Sequence, residues 1–328
     1  MSRSVLELIG NTPLLSLSKL SPKREVKILG KAEWFNPGGS IKDRPVLKII
    51  SEAEKRGLIR GKTILDATSG NAGISYAMIG ASKGYPVHLC VPANASEATK
   101  RIMLAFGARL TATSALQGSD GAILKARELY QSNPERYFYG DQYGNEANWK
   151  AHYITTGAEI IEQTEGALTH FAAGTGTSGT LMGVGRRLRK RNPKIRLVEV
   201  QPSSPVHGID GLKHMESSII PSIYDPDFAD EKIVVETEEA QDLVRRVARE
   251  EGILLGTSSG ANLVAALRIA EKLREGKVVT VLPDSAVRYL FESYWNDDMK
   301  TDLTGKSSLG STLINAGLTR HLIWRPRG

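Results

Sequence analysis

The sequence predicts an α/β protein of two domains, each an open, twisted, mostly parallel sheet flanked by helices, with a cleft between them. Three observations carry this. The chain has 328 residues, twice the scale of about 150 residues expected for one domain. Short apolar, β-branched runs alternate with longer segments of helical period, as parallel strands do with their crossover helices. Glycine numbers 32, roughly a tenth of the chain against ~7% in ordinary proteins. Many of these glycines flank loops between a run and a helix, where tight turns and close backbone approach need them.

Residues 27–34 form a strand-like stretch, followed by the loop 36–45 (NPGGSIKDRP) and a helical pattern through Glu54. Buried strands are predicted at 62–67, 86–92, 109–113, 169–174, 195–201 and 277–283. Helices are expected at 74–81 and 181–189. In 241–251, Leu243, Val244, Val247 and Ala248, with Ala240 just before, make one apolar stripe at helical spacing. Open α/β sheets bind ligands beyond the carboxyl ends of their strands, so the loops there are the candidate chemistry.

Five loops after predicted strands stand out. In the first, Ser40 and Asp43 have capping-box spacing, which puts Lys42 near the first helical turn. Pro45 fits better if the helix begins slightly later. A lysine at a helix start is in a cationic environment that depresses its pKa and makes it a better nucleophile or base. The second loop, 68–73 (TSGNAG), offers amides and hydroxyls to a carboxylate or phosphate. The third, 174–180 (GTGTSGT), is an anion cradle before a helix. It also matches G-x-G-x-x-G, with Glu199 about 20 residues on, as a dinucleotide site requires; an NAD-dependent dehydrogenase is therefore a rival from another class. The fourth is 256–260 (GTSSG) and the fifth 283–285 (PDS).

Composition excludes other classes. The net charge is +7, and its one dense cluster (Arg186, Arg187, Arg189, Lys190, Arg191) reads as a solvated helix end that suits the helix dipole. Without aromatic interleaving or a nucleic-acid motif, no nucleic acid is expected. Cys90 is the only cysteine and reads as a small buried hydrophobe, so neither a disulfide framework nor a thiolate metal cluster is available. The six histidines lack metal-ligand spacing, and no bound metal is expected. No run of 18 apolar residues occurs and the first residues lack a signal peptide's apolar core, so a cytoplasmic protein off the membrane is expected.

The motifs NPGGSIKDRP (36–45), TSGNAG (68–73), GTSGT followed by LMGVGR (176–186), GTSSGA (256–261) and PDSAVRYL (283–290) occur in one order, after an opening IGNTPL (9–14). From about residue 8 to 295 the chain resembles the cysteine synthases, of the B-type branch, within the tryptophan-synthase-β-like (fold type II) pyridoxal-phosphate enzymes. The resemblance implies pyridoxal 5′-phosphate as cofactor, held by Lys42 as a Schiff base, with Lys42 later moving protons. Gly176, Thr177, Ser178, Gly179 and Thr180 would bind its phosphate, and Asn71 its 3′ oxygen. Thr68, Ser69, Ala72 and Gln142 would hold the substrate carboxylate. Ser258 and Ser285 each match one branch of the family as the partner of the pyridine nitrogen. The implied reaction is β-replacement: an activated serine loses its β-substituent through an aminoacrylate, and sulfur adds to give cysteine. A smaller domain at 42–148, a larger one at 1–41 plus 149–298, a peripheral tail at 299–328 and a homodimer go with it.

The stretch 208–215 (GIDGLKHM), with Gly211 and Lys213, bears on the substrate. In some relatives a basic residue matching Lys213 engages the phosphate of O-phosphoserine, and a cation there favours a dianionic leaving group. O-acetylserine is the default donor, with sulfide or a bulkier sulfur source. Cystathionine β-synthase-like and serine or threonine dehydratase activities are alternatives on the same fold, and a cofactor-binding protein without turnover is a non-enzyme one. A sulfur-carrier protein or an acetyltransferase as partner has no motif to mark it. Three departures from the commonest family pattern stand out: Ala72 for threonine, Asp66-Ala67 for Glu-Pro, and Ala286-Val287 for Gly-Glu.

Overall fold

A computed structural model describes residues 4–295. Ten strands follow in chain order: β1 (Leu14–Ser16), β2 (Val26–Ala32), β3 (Thr63–Ala67), β4 (Val87–Pro92), β5 (Arg109–Thr113), β6 (Tyr137–Tyr139), β7 (His170–Gly174), β8 (Arg196–Pro202), β9 (Glu231–Val235) and β10 (Gly276–Leu282). They make a six-stranded sheet in the order β1-β2-β10-β7-β8-β9 and a four-stranded sheet in the order β5-β4-β3-β6. Every pairing is parallel except β1 with β2.

The helices are α1 (Asp43–Lys55), α2 (Asn71–Lys83), α3 (Glu97–Ala105), α4 (Gly118–Ser132), α5 (Ala147–Ile154), α6 (Thr156–Gln163), α7 (Gly179–Arg191), α8 (Thr237–Glu250) and α9 (Thr257–Lys272). The expected alternation is present, and each predicted strand lies within one residue at its start. Strands β1, β6 and β9 were not predicted. All three are sheet edges, where one face or both meet water and the apolar signal is diluted; β9, for instance, alternates buried and exposed residues over its second half.

Apolar cores cover both sheets. Ile64, Leu89 and Val91 pack with Ile74, Ile79 and Met103 about the smaller sheet. Phe171, Leu197, Val279 and Val281 pack with Leu181, Val184 and Leu188 about the larger. Cys90 is buried beside Leu65 and Ala122, and burial pushes its thiol up to about 11, as an inert core residue requires. Contacts group the described residues up to Tyr289 as one unit; the tail expected at 299–328 lies outside the described residues. No helix among the described residues is long and apolar enough to cross a membrane.

Two expectations need correction. The loop 256–260 follows α8 rather than a strand, with Gly256 as the N-cap of α9. The basic cluster at the end of α7 is not merely solvated: Arg186 lies 4.3 Å over the ring of Trp149, Arg187 over Tyr153 and Arg189 over Phe228. Their guanidinium planes cover aromatic surface that would otherwise meet water.

Candidate active site

The carboxyl ends of β2, β3, β7 and β10 each lead into one of the singled-out loops. The lysine loop meets the loop after β10 directly: Ile41 N–H donates to Pro283 C=O at 2.9 Å, and Ser40 bridges Asp284. Lys42 is the N-cap of α1, and its backbone N–H donates to Ser40 Oγ at 3.3 Å. The capping box does not form. The helix begins at Asp43, and that carboxylate turns away from Ser40 to accept from Gly38 N–H (2.6 Å) and Ser75 Oγ (2.5 Å). A Cβ at Gly38 would lie 2.2 Å from Asp43 Oδ1, so only glycine lets the carboxylate reach. Pro45 falls in the first turn, where its missing N–H costs nothing.

No hydrogen bond among the described residues engages the Nζ of Lys42. Burial holds its pKa below that of a free lysine, opposed only by the charge of Asp284. Desolvation penalises the ammonium form, so the neutral, nucleophilic amine is favoured.

In the asparagine loop, Thr68 Oγ1 accepts from the N–H groups of Gly70 and Gly73, both at 3.0 Å, and so shapes the turn. Helix α2 starts at Asn71, earlier than the periodicity suggested. The N–H groups of Ser69, Asn71 and Ala72 find no acceptor among the described residues, and a helix amino terminus there suits an anion. Gln142 lies beside this loop, its Nε2 donating to Ala67 C=O at 2.8 Å. Asp66 holds both: Oδ1 accepts from Ala67 N–H at 2.7 Å and Oδ2 from Gln142 N–H at 3.2 Å. The paired departure Asp66-Ala67 thus has a reason, since a proline at 67 has no N–H to give.

The cradle follows β7. The N–H groups of Gly176, Thr177, Ser178 and Thr180 have no acceptor among the described residues. Ser178 is held in the left-handed region, φ 66°, which turns the backbone into α7. Gly176 and Gly179 are required by protein neighbours: a Cβ would lie 2.1 Å from Gly211 C=O at the first and 1.9 Å from Asn148 Oδ1 at the second. Gly211 therefore seats the 208–215 loop on the cradle, and Lys213 N–H donates to Thr175 C=O at 2.9 Å. The amine of Lys213 reaches α4, where it pairs with Asp120 at 2.5 Å. It is not free for an incoming anion.

Ser258, buried in the first turn of α9, has a hydroxyl without a partner among the described residues. Ser285 instead accepts from Val287 N–H at 3.4 Å, capping a short turn.

Four residues at the site escaped the sequence reading. Asp284 accepts from Asn71 Nδ2 at 2.7 Å and from Tyr289 OH at 2.6 Å. Arg288 donates to Asn71 Oδ1 and to Gly38 C=O. Asn148 stands between Gln142 and Thr177. His152 sits behind Thr180, its pKa driven well down by burial and by the charges of Arg44 and Lys42, so it is a neutral imidazole. Asp284 and Arg288 lie in the singled-out segment 283–290, yet nothing local tells that they face Asn71.

Glu199 removes the dinucleotide reading. It is 1% exposed and accepts from Thr175 Oγ1 (2.9 Å), Gln201 Nε2 (2.8 Å) and Tyr224 OH (3.1 Å). Buried and bonded to these three, it is closed off from a ribose hydroxyl, and a Cβ at Gly174 would strike Leu212.

The donors suit a phosphorylated carbonyl cofactor: four unpaired N–H groups for the phosphate, an enclosed amine of lowered pKa for the carbonyl carbon, and a free buried hydroxyl for a ring nitrogen. Comparison agrees. The profile described as pyridoxal-phosphate dependent enzyme matches residues 5–284. A cysteine synthase of Aquifex aeolicus (strain VF5) is 52% identical over 302 residues, 90% of this chain and 92% of its own. Cysteine synthase B of Pseudomonas aeruginosa is 41% identical over 288 residues, 88% and 95% of the two chains. The crystal structure of a cysteine synthase from Entamoeba histolytica superposes with a TM-score of 0.85 at 36% identity, covering 90% of this chain and 91% of that one.

Proposed function

The chain belongs to the pyridoxal-phosphate dependent enzymes, and we propose that it is a cysteine synthase that replaces the β-acetoxy group of O-acetylserine with sulfide. One observation carries the reading: in a chain 52% identical to a cysteine synthase, the Lys42 amine, without a hydrogen-bond partner among the described residues and with its pKa lowered by burial, sits where the lysine, asparagine and 283–289 loops meet.

Pyridoxal phosphate, when bound, supplies an electron sink for the substrate's α-carbon. The chain's residues do the rest. Lys42 holds the cofactor and carries the α-proton away, a task its lowered pKa fits. The N–H groups at the start of α2, with Gln142, orient the substrate carboxylate, and Ala72 adds no hydroxyl there. Thr68 serves by shaping that turn. Gly176, Thr177, Ser178, Gly179 and Thr180 hold the phosphate. Both candidate serines keep a proton for the pyridine nitrogen: Ser258 has no partner among the described residues, and Ser285 only accepts, from Val287 N–H. A neutral hydroxyl does not force protonation of that nitrogen, so the sink stays mild and suits elimination followed by addition.

The Lys213–Asp120 pair favours O-acetylserine over O-phosphoserine, because a phosphate would meet a lysine whose charge is already met. The two sheets support a smaller domain at 42–148 and a larger one at 1–41 plus 149–298. A cytoplasmic homodimer accompanies this reading.

The test mixes the purified chain with O-acetylserine and sulfide and measures cysteine. Cysteine should form, and Lys42→Ala should lower the rate by about 10²- to 10⁴-fold. Absence of cysteine with the wild-type chain, or an unimpaired Lys42→Ala, overturns the proposal.

A further inference from the structure

We propose that Asn148 is a positioning residue that makes the Thr177 hydroxyl a hydrogen-bond donor to the cofactor's phosphate. The inference rests on the reading that residues 176–180 hold that phosphate. Asn148 lies in the first turn of α5 and is 2% exposed. Its Nδ2 donates to Gln142 C=O at 2.7 Å and to Thr177 Oγ1 at 3.0 Å. The amide cannot be turned end for end, because a backbone carbonyl only accepts and so demands the nitrogen. Both Nδ2 hydrogens are thereby assigned. The other end, Oδ1, is buried without a hydrogen-bond partner and abuts Gly179.

The consequence falls on Thr177. Its oxygen accepts from Asn148 Nδ2 and, at 3.4 Å, faces the N–H of Gly179. A hydroxyl has two lone pairs and one proton. With both lone pairs approached by N–H groups, the proton must leave in the remaining direction, and no described residue accepts it. A phosphate oxygen is an acceptor of the required kind, and hydrogen bonds to charged acceptors are the stronger ones.

Ser178 differs. Its hydroxyl donates to Thr177 C=O at 2.6 Å, so its proton is already used. Of these two adjacent hydroxyls, the structure thus assigns phosphate donation to Thr177. The same amide of Asn148 holds the backbone of Gln142, so the cradle and the carboxylate-binding loop share one anchor.

The experiment removes the cofactor and titrates the apoprotein with pyridoxal phosphate and, separately, with pyridoxal, following visible absorption. The ratio of the two affinities isolates the phosphate. Asn148→Ala should cut the preference for pyridoxal phosphate by about tenfold or more, the scale of a hydrogen bond to a charged group. Asn148→Asp should cut it further, since a carboxylate would take the proton of Thr177 and stand near the phosphate. Thr177→Val should match Asn148→Ala, and the double variant should lose no more than either. Equal losses for both ligands indicate a scaffold role and overturn the proposal, as do additive losses. Should Asn148→Ala fail to fold, Thr177→Val decides alone, and an unchanged preference in it overturns the assignment. A wild-type chain that binds neither ligand overturns the cofactor reading itself, a result distinct from these.

Discussion

The carboxylate of Asp284 accepts a hydrogen bond from Nδ2 of Asn71 at 2.7 Å, across 213 residues of sequence. Arg288 donates to the opposite end of the same amide. An acceptor at one end and a donor at the other leave the Asn71 side chain a single orientation. The pair also sets the charge around Lys42, because Asp284 is the one group that raises the lysine's pKa against burial.

Asp284→Asn removes that charge and lets the pKa of Lys42 fall further. A base must be unprotonated to act, so the acid limb of the pH–rate profile should move to lower pH. A limb that stays in place, or moves up, would show that Asp284 does not act on Lys42.

Arg288→Ala frees Oδ1 of Asn71 and the carbonyl of Gly38 together. Since Arg288 is only partly buried, the melting temperature should change little while the cofactor's visible absorption maximum shifts. Arg288→Lys, which keeps a donor of similar reach, should recover part of the shift.

Asp120→Ala releases the amine of Lys213 from its 2.5 Å partner. A freed cation beside the cradle should raise kcat/KM for O-phosphoserine relative to O-acetylserine by about tenfold, the scale of one charge-assisted contact. An unchanged ratio in steady-state assays would place Lys213 out of reach of the donor.

Arg44 joins two acids: its guanidinium takes Glu33 at 2.7 Å and Glu159 at 2.6 Å, and Lys31 also meets Glu159 at 2.6 Å. Burial pushes Glu159 up, but Arg44 and Lys31 outweigh it and hold the carboxyl at about 2. Arg44→Ala strands Glu33, which is 0% exposed, and should cost about 3–5 kcal/mol in denaturant unfolding. The stability that Glu159 contributes is present above its unfolded pKa of 4.5 and should fade as pH drops toward 2.

Asp66 has the opposite sign. Burial, with a lesser push from Asp141, raises its carboxyl to about 7, against the nearby Tyr76 hydroxyl and hydrogen bonds from the N–H groups of Ala67 and Gln142. The folded state keeps this proton up to about 7 whereas the unfolded chain releases it near 3.8, so its contribution to stability falls as pH rises between those values. Asp66→Asn cannot titrate, and melting temperatures measured from pH 4 to 8 should lose that slope. A slope identical to wild type would assign it to other carboxyls.

The sequence by itself determined the alternation of strands and helices and marked the loops at strand ends, with Lys42, Asn71 and residues 176–180, as candidates. These are contiguous features: a β-branched run, a glycine turn and a helix start lie within a few residues of each other. Tertiary structure alone decided what each group is free to do. Glu199 sits at the spacing of a ribose ligand, yet Thr175, Gln201 and Tyr224 occupy its oxygens. Lys213 has the charge to meet a phosphate, yet Asp120, 93 residues away, has taken it. The physical reason is common to both. The capacity to donate, accept or carry charge belongs to the residue, but the share left for a ligand is what remains after neighbours from distant segments have been satisfied.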